Sequence, residues 1–242
     1  MNLPAKTRIL FLLPLALAAC TYSENDVSPD AVIIGLTAAP AKVLADGSSK
    51  SLIAVELPKS TEDGKRSVML STDNGVFEGE KKPTVTVTAQ NVFQNQENKI
   101  IAYANLISPL SSGNATITAR TSNFTKPVTV TFERAHPERI RVLLNKLYYK
   151  PEPAGEVTIT VQLARSTGKP SLGHSINLSV VDSVNRPRGN FRNFATQSDS
   201  NGQIVNYYSI LTGFKGTLKV RASTQTASGA VIADSAIFYV KP

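Results

Sequence analysis

The 242-residue chain has no tryptophan, one cysteine, two methionines and two histidines. A single thiol excludes an intramolecular disulfide, so no disulfide scaffold supports the fold. Neither His136 nor His174 has a Cys, Asp or Glu at metal-ligand spacing, and both read as surface or turn residues. A nucleophile–base–orienter triad would have to recruit one of these two, and the chain carries no Gly-x-Ser-x-Gly elbow and no phosphate loop. The sequence therefore points to no catalytic residue, no metal and no cofactor. Long apolar runs are confined to the extreme N-terminus, which excludes a multi-span membrane protein. An apolar share of 41% excludes a wholly disordered chain.

What is present begins with an address. Lys6 and Arg8 precede an apolar run from Ile9 to Leu17, followed by Ala18, Ala19 and Cys20. Charge, a run too short to span a bilayer, and small residues before a cut make a signal peptide; the competing reading is a buried N-terminal core segment with an incidental thiol. Leu17-Ala18-Ala19-Cys20 resembles the lipobox of bacterial lipoproteins, in which cleavage falls before the cysteine and that cysteine carries the lipid. The resemblance implies cleavage after residue 19 and a lipid-anchored Cys20. Each buried CH₂ of an acyl chain contributes roughly 0.8 kcal/mol, so several chains hold the protein on the bilayer without spanning it. By the sorting rule of Gram-negative lipoproteins, Thr21, in place of Asp, implies the outer membrane, with the leaflet open. Residues 20–29 are polar and read as a tether.

Beyond the tether the pattern is all-β. Ser51 to Leu57, Ser67 to Ser71, Thr84 to Thr88, Lys99 to Leu106, Asn114 to Arg120 and Pro127 to Phe132 are short runs rich in Val, Ile, Thr and Tyr, separated by turns such as Asp46-Gly47 and Asp73-Asn74-Gly75. Helices are at most incidental, since no window keeps a 3.6-residue apolar period. The alternation of Thr84-Val85-Thr86-Val87-Thr88 predicts a buried face and a wet threonine face. Gln90 to Asn98 and Asp182 to Ala195 lack a clear strand pattern and read as loops or short extra strands.

The second half repeats the first. Ile100-Ile101-Ala102-Tyr103 and the strand from Gly113 to Ala119 answer Ile204-Val205-Asn206-Tyr207 and the strand from Gly216 to Ala222. Val55-Glu56-Leu57 answers Val161-Gln162-Leu163, and Met69-Leu70-Ser71 answers Asn177-Leu178-Ser179. A repeat of this length is too long for a solenoid unit and suits a β-sandwich that closes its own core. The expected layout is a signal peptide at 1–19, a lipidated Cys and tether at 20–29, and immunoglobulin-like sandwiches at 30–133 and 134–242. Arg134 to Glu138 joins them, made extended and stiff by His136-Pro137. Ala45-Asp46-Gly47-Ser48, Ser71-Thr72-Asp73-Asn74-Gly75-Val76-Phe77 and Ser198-Asp199-Ser200-Asn201-Gly202-Gln203, with the Gly-to-Ala strands, resemble the tandem immunoglobulin-like domains of invasins and intimins. That resemblance implies a stalk or binding module on the bacterial surface. The chain lacks the paired-cysteine lectin-like tip of the large invasins, so cell entry does not carry over.

Charge separates the halves. Residues 30–133 hold 10 basic and 10 acidic side chains, whereas 134–242 hold 14 and 6. The densest stretch, Arg186-Pro187-Arg188-Gly189-Asn190-Phe191-Arg192-Asn193-Phe194, is either a contact loop or a solvated one whose phenylalanines tuck onto the core. As a contact it suits anionic glycan, lipopolysaccharide phosphate or an acidic envelope or host protein; export argues against nucleic acid as the natural partner. Asp73-Asn74-Gly75 and Asp199-Ser200-Asn201-Gly202 carry calcium-type oxygens but read as turns. The sequence supports a non-enzymatic adhesion or binding module, with an accessory subunit of a periplasmic envelope or secretion assembly, docking by strand addition, as the alternative.

Overall fold

The computed structural model describes residues 29–150, 156–210 and 213–241. The lipobox residues Leu17, Ala18, Ala19 and Cys20 lie outside them. Among the described residues no helix is long and apolar enough to cross a membrane.

A four-residue helix, Pro29–Val32, leads into β1 (Gly35–Ala39), β2 (Lys42–Ala45), β3 (Lys50–Leu57), β4 (Ser67–Thr72), β5 (Val76–Phe77), β6 (Thr84–Thr88), β7 (Gln90–Gln94), β8 (Glu97–Ile107), β9 (Gly113–Thr121) and β10 (Phe124–Arg134). One sheet has the order β1-β3-β8-β5, with β7 also on β8; the other runs β2-β10-β9-β4-β6. Period-two alternation builds the layers. In β3, Ser51, Ile53, Val55 and Leu57 point inward and are buried, meeting Leu70, Ile117 and Phe132 of the opposite sheet in one core. β6 sits at a sheet edge, and there Val85 and Val87 are only half-buried. The stretch from Gln90 resolves into an extra strand, β7, paired with β8.

The second half contains β11 (Arg139–Leu144), β12 (Tyr148–Tyr149), β13 (Glu156–Ala164), β14 (Asn177–Asp182), β15 (Asn190–Arg192), β16 (Gln203–Ser209), β17 (Gly216–Gln225) and β18 (Val231–Val240). Its sheets, β11-β13-β16-β15 and β12-β18-β17-β14, repeat the order of the first sandwich, without counterparts of β6 and β7 among the described residues. The duplication extends to side-chain register: Leu70 pairs with Ala119, and Leu178 with Ala222. One expected equivalence shifts. Val55 lies opposite Ala102 and Val161 opposite Ile204, so with the two valines equated Ile204 takes the place of Ala102 and not of Ile100. A two-residue shift keeps inward residues inward, which is why the sequence pattern tolerates it. On β18, Asp234 accepts the Val142 N–H at 2.7 Å and ties that edge to β11 of the opposite sheet.

The two sandwiches are locked end to end. Asp46, 3% exposed, accepts N–H groups from Ser48 and Ser49 at 2.8 and 2.7 Å and hydroxyls from Ser49 and Ser108. Burial pushes its carboxyl up, but the hydrogen bonds from Ser49 and Ser48 outweigh it and hold it below the usual range. The Asp46 carbonyl accepts Lys169 N–H at 2.9 Å across the joint. Ser171 Oγ donates to the Ala45 carbonyl at 2.8 Å and accepts Ala135 N–H at 2.9 Å, while its own N–H goes to the Ala135 carbonyl. Leu172 N–H reaches the Leu110 carbonyl, Arg134 the Gly173 carbonyl and Arg165 the His136 carbonyl. Gly168 lies at φ +65°, and a Cβ there would stand 2.6 Å from the Asp46 carboxylate. Beside the His136-Pro137 segment, a hydrogen-bonded loop from the second sandwich clamps the first.

Ser171→Ala strands a buried acceptor and a buried donor and should cost about 1–3 kcal/mol of joint stability. Gly168→Val should unlatch the joint with both sandwiches still folded. Small-angle scattering is expected to show a broadened distance distribution while far-ultraviolet dichroism is unchanged; an unaltered distribution counts against the clamp.

Candidate functional site

The arginine-rich stretch folds around a residue that the sequence reading passed over. Asp182, 8% exposed, accepts the N–H groups of Val184 at 3.0 Å and Arg186 at 2.9 Å through Oδ1, and Arg188 Nε at 2.9 Å through Oδ2. The Arg186 hydrogen bond is the largest of the causes that hold its carboxyl below the ordinary range, ahead of Arg188 and Val184, and it prevails over burial. Asn185 takes the left-handed conformation, φ +60°, that the turn needs. The signal available in the sequence was Asp182 with Asn185 three residues on, a pairing of turn-forming residues at the head of the stretch.

The three arginines share no common contact. Arg188 is held by Asp182 and lies over the Phe214 ring, 5.5 Å from its centroid. Arg192 pairs with Glu156 at 2.8 Å and lies over Tyr207 at 5.1 Å. Arg186 enters the turn through its backbone. Phe191 packs on the core against Tyr208 at 5.1 Å and against Phe194 at 4.6 Å; Phe194 stays half-exposed. Asn206, fully buried, exchanges two hydrogen bonds with the Ala195 backbone and pins the end of the stretch. Phe191 and Arg192 lie on β15, paired with β16; Phe191 tucks onto the core while Phe194 does not, and two guanidinium groups are already paired.

The acidic turns also have structural work. Asp73 Oδ1 accepts Thr116 N–H at 2.7 Å, and Asp199 Oδ1 accepts the N–H groups of Asn201 and Gln203 at 2.8 Å. Among the described residues no cluster of three or more His, Cys, Asp or Glu side chains is arranged to hold a metal ion.

The histidines depart furthest from expectation. His174, read as a surface or turn residue, is 6% exposed, because the clamp loop packs it against the interdomain joint. Its ring meets that of His136 edge-on at 5.2 Å, and both Nδ1 atoms are buried without a hydrogen-bond partner. Burial, then Arg134, then His136 push the His174 imidazole below its ordinary value, against a hydrogen bond to the Gln225 backbone. Beside the pair lies a cavity of about 430 Å³, lined further by Arg134, Ser175, Asn177 and Ser223. A neighbouring groove of about 540 Å³ shares Asn177 and Ser223 and continues to Lys219 and Arg221. At the far end of the same sheet the exposed rings of Tyr148 and Tyr239 stack at 5.7 Å, with Lys241 Nζ 4.4 Å from the Tyr148 ring.

A buried histidine kept neutral makes folding stability fall on acidification. The unfolded chain binds its proton near pH 6.5 and the folded chain only lower, so stability is lost as pH drops below that value. The wild-type melting temperature should fall between pH 7.5 and 5.5, and His174→Gln should flatten that fall; equal slopes in the two proteins sink this assignment.

No protein-family model matches the chain, and no curated protein does. Among solved structures it is similar to the Yersinia pseudotuberculosis adhesin InvE, with 20% identity, a TM-score of 0.52 and 84% of this chain aligned to 58% of that one. It is likewise similar to invasin, a bacterial integrin-binding protein, with 16% identity, a TM-score of 0.58 and 86% of this chain aligned to 40% of that one. The chain therefore spans less than two thirds of either. At these identities the likeness establishes architecture: two tandem immunoglobulin-like β-sandwiches of the kind that bacterial adhesins carry.

Proposed function

We propose that this protein is a non-enzymatic adhesion or binding module of the bacterial cell envelope, anchored by lipid on Cys20 after removal of residues 1–19 and held at the outer membrane. Residues 20–29 serve as its tether, and the sandwiches at 30–133 and 134–242 serve as a neutral spacer and a basic tip. The locked joint is the observation that carries this reading. Hydrogen bonds at Asp46, Ser171 and Arg134 hold the two sandwiches in one orientation, so a partner engaged by the second is presented at a set displacement from the first. A tip bearing 14 basic against 6 acidic side chains favours an anionic partner: an acidic glycan, lipopolysaccharide or an acidic protein. The adhesin architecture of the similar structures agrees with it.

Cys20→Ser should move the protein from the membrane to the soluble fraction; continued membrane retention rejects the anchor. External protease on intact cells should cleave a surface-exposed chain, whereas protection assigns it to the periplasm and to the accessory-subunit alternative. Charge reversal of Arg186, Arg188 and Arg192 together should weaken salt-sensitive binding to envelope fractions if the loop makes contact. Unchanged binding at low salt removes the loop from the contact surface.

A further inference from the structure

We infer that the distal sandwich binds an acidic saccharide along the outer face of the β14–β17–β18 sheet, with the sugar carboxylate seated in the joint cavity between Arg134 and the His136–His174 pair. The inference rests on the anionic-partner reading above and locates its contact away from the arginine loop.

Three independent observations converge on this face. The first is charge. None of the outward-pointing residues of β14, β17 and β18 is acidic: Asp182 is drawn into the turn, and Asp234, which also lines the groove, has its carboxylate engaged by the Val142 N–H toward β11. Lys219 and Arg221 point outward on β17, and neither forms an ion pair among the described residues; Arg221 donates to the Asn185 side chain. The second is continuity. From Ser223 past Arg221 and Lys219 to Thr217, beside Tyr239, β17 presents alternate residues on one face over about 20 Å, at about 3.4 Å per residue. The cavity and the groove share Asn177 and Ser223 and so form one trough. The third is the cavity itself, which at about 430 Å³ is large enough for a single sugar-sized group.

The polar groups fit that class of ligand. Arg134 keeps one guanidinium arm on the Gly173 carbonyl, leaving donors for a carboxylate. A buried, unpaired imidazole nitrogen costs free energy until a charge or donor meets it, and an anion in the cavity favours the protonated form of His174 beside it. The amide of Asn177 and the hydroxyls of Ser175 and Ser223 match sugar hydroxyls, and the stacked, cation-capped tyrosines offer a flat apolar face to a pyranose ring.

The chain holds only two histidines, and both stand at this site, so imidazole NMR resonances report the cavity without mutation. Titrating the full chain with glucuronic acid at pH 6 should shift both imidazole signals saturably, and by less at pH 7.5, with affinity changing by up to about tenfold per pH unit for one proton taken up. Glucose should leave them in place, and N-acetylglycine, a carboxylate without a sugar, should bind more weakly. His136→Gln and Arg134→Gln should each reduce affinity several-fold; scattering on the same samples checks that the joint stays closed. Lys219→Glu with Arg221→Glu should weaken binding of an acidic oligosaccharide but not of the monosaccharide. Equal binding of N-acetylglycine overturns the saccharide assignment, and imidazole signals that do not move overturn the site. If envelope fractions still bind while the signals stay fixed, only the site fails; if neither responds, the anionic-partner reading falls with it.

Discussion

One buried carboxylate governs the shape of this molecule. Asp46 sits at the end of the first sandwich with its charge satisfied by neighbouring serines, which frees its backbone carbonyl to receive the second sandwich. A buried charge is tolerated only when it is fully hydrogen-bonded, and here that same requirement organises the surface on which the clamp loop lands.

Several of the buried polar residues, Asp46, Ser108, Ser171 and His174 among them, gather at the joint. Each sandwich closes its own apolar interior, and the two buried clusters are separate. The connection between them is made of hydrogen bonds and small residues, which give a defined angle with little apolar area committed. Such a joint depends on shape: Gly168 fits because it has no side chain, and any larger residue meets Asp46.

Much of this was legible in the sequence and some was not, for physical reasons. Strand identity follows from local alternation, so β3, β6 and β13 stand out in the residue pattern, and the duplication survives because Leu70 and Leu178 occupy the same place in their ladders. Asp46-Gly47-Ser48 looked like an ordinary turn, since its importance lies in a partner more than a hundred residues away. His174 looked exposed because a turn-rich neighbourhood reads as surface, and only the fold lays His136 and the Gln225 backbone against it. The arginine loop was read by charge density, but local sequence does not reveal that Asp182 and Glu156 already neutralise two of its members. The basic face of β17 escaped notice because its cations alternate with core residues and never form a run.

The inward carboxylate of Asp234 has a bearing on crowding. Strand β18 pairs with β17 on one side, while on the other β12 meets only Tyr239 and Val240, which leaves much of its length unpaired among the described residues. Identical modules packed side by side would present these edges to one another at high local concentration, the condition under which sheets zip together. A neighbour adding a strand there would have to displace β11 from Asp234 and enclose an orphaned charge. A single aspartate thereby guards the open edge of β18 against the addition of a foreign strand.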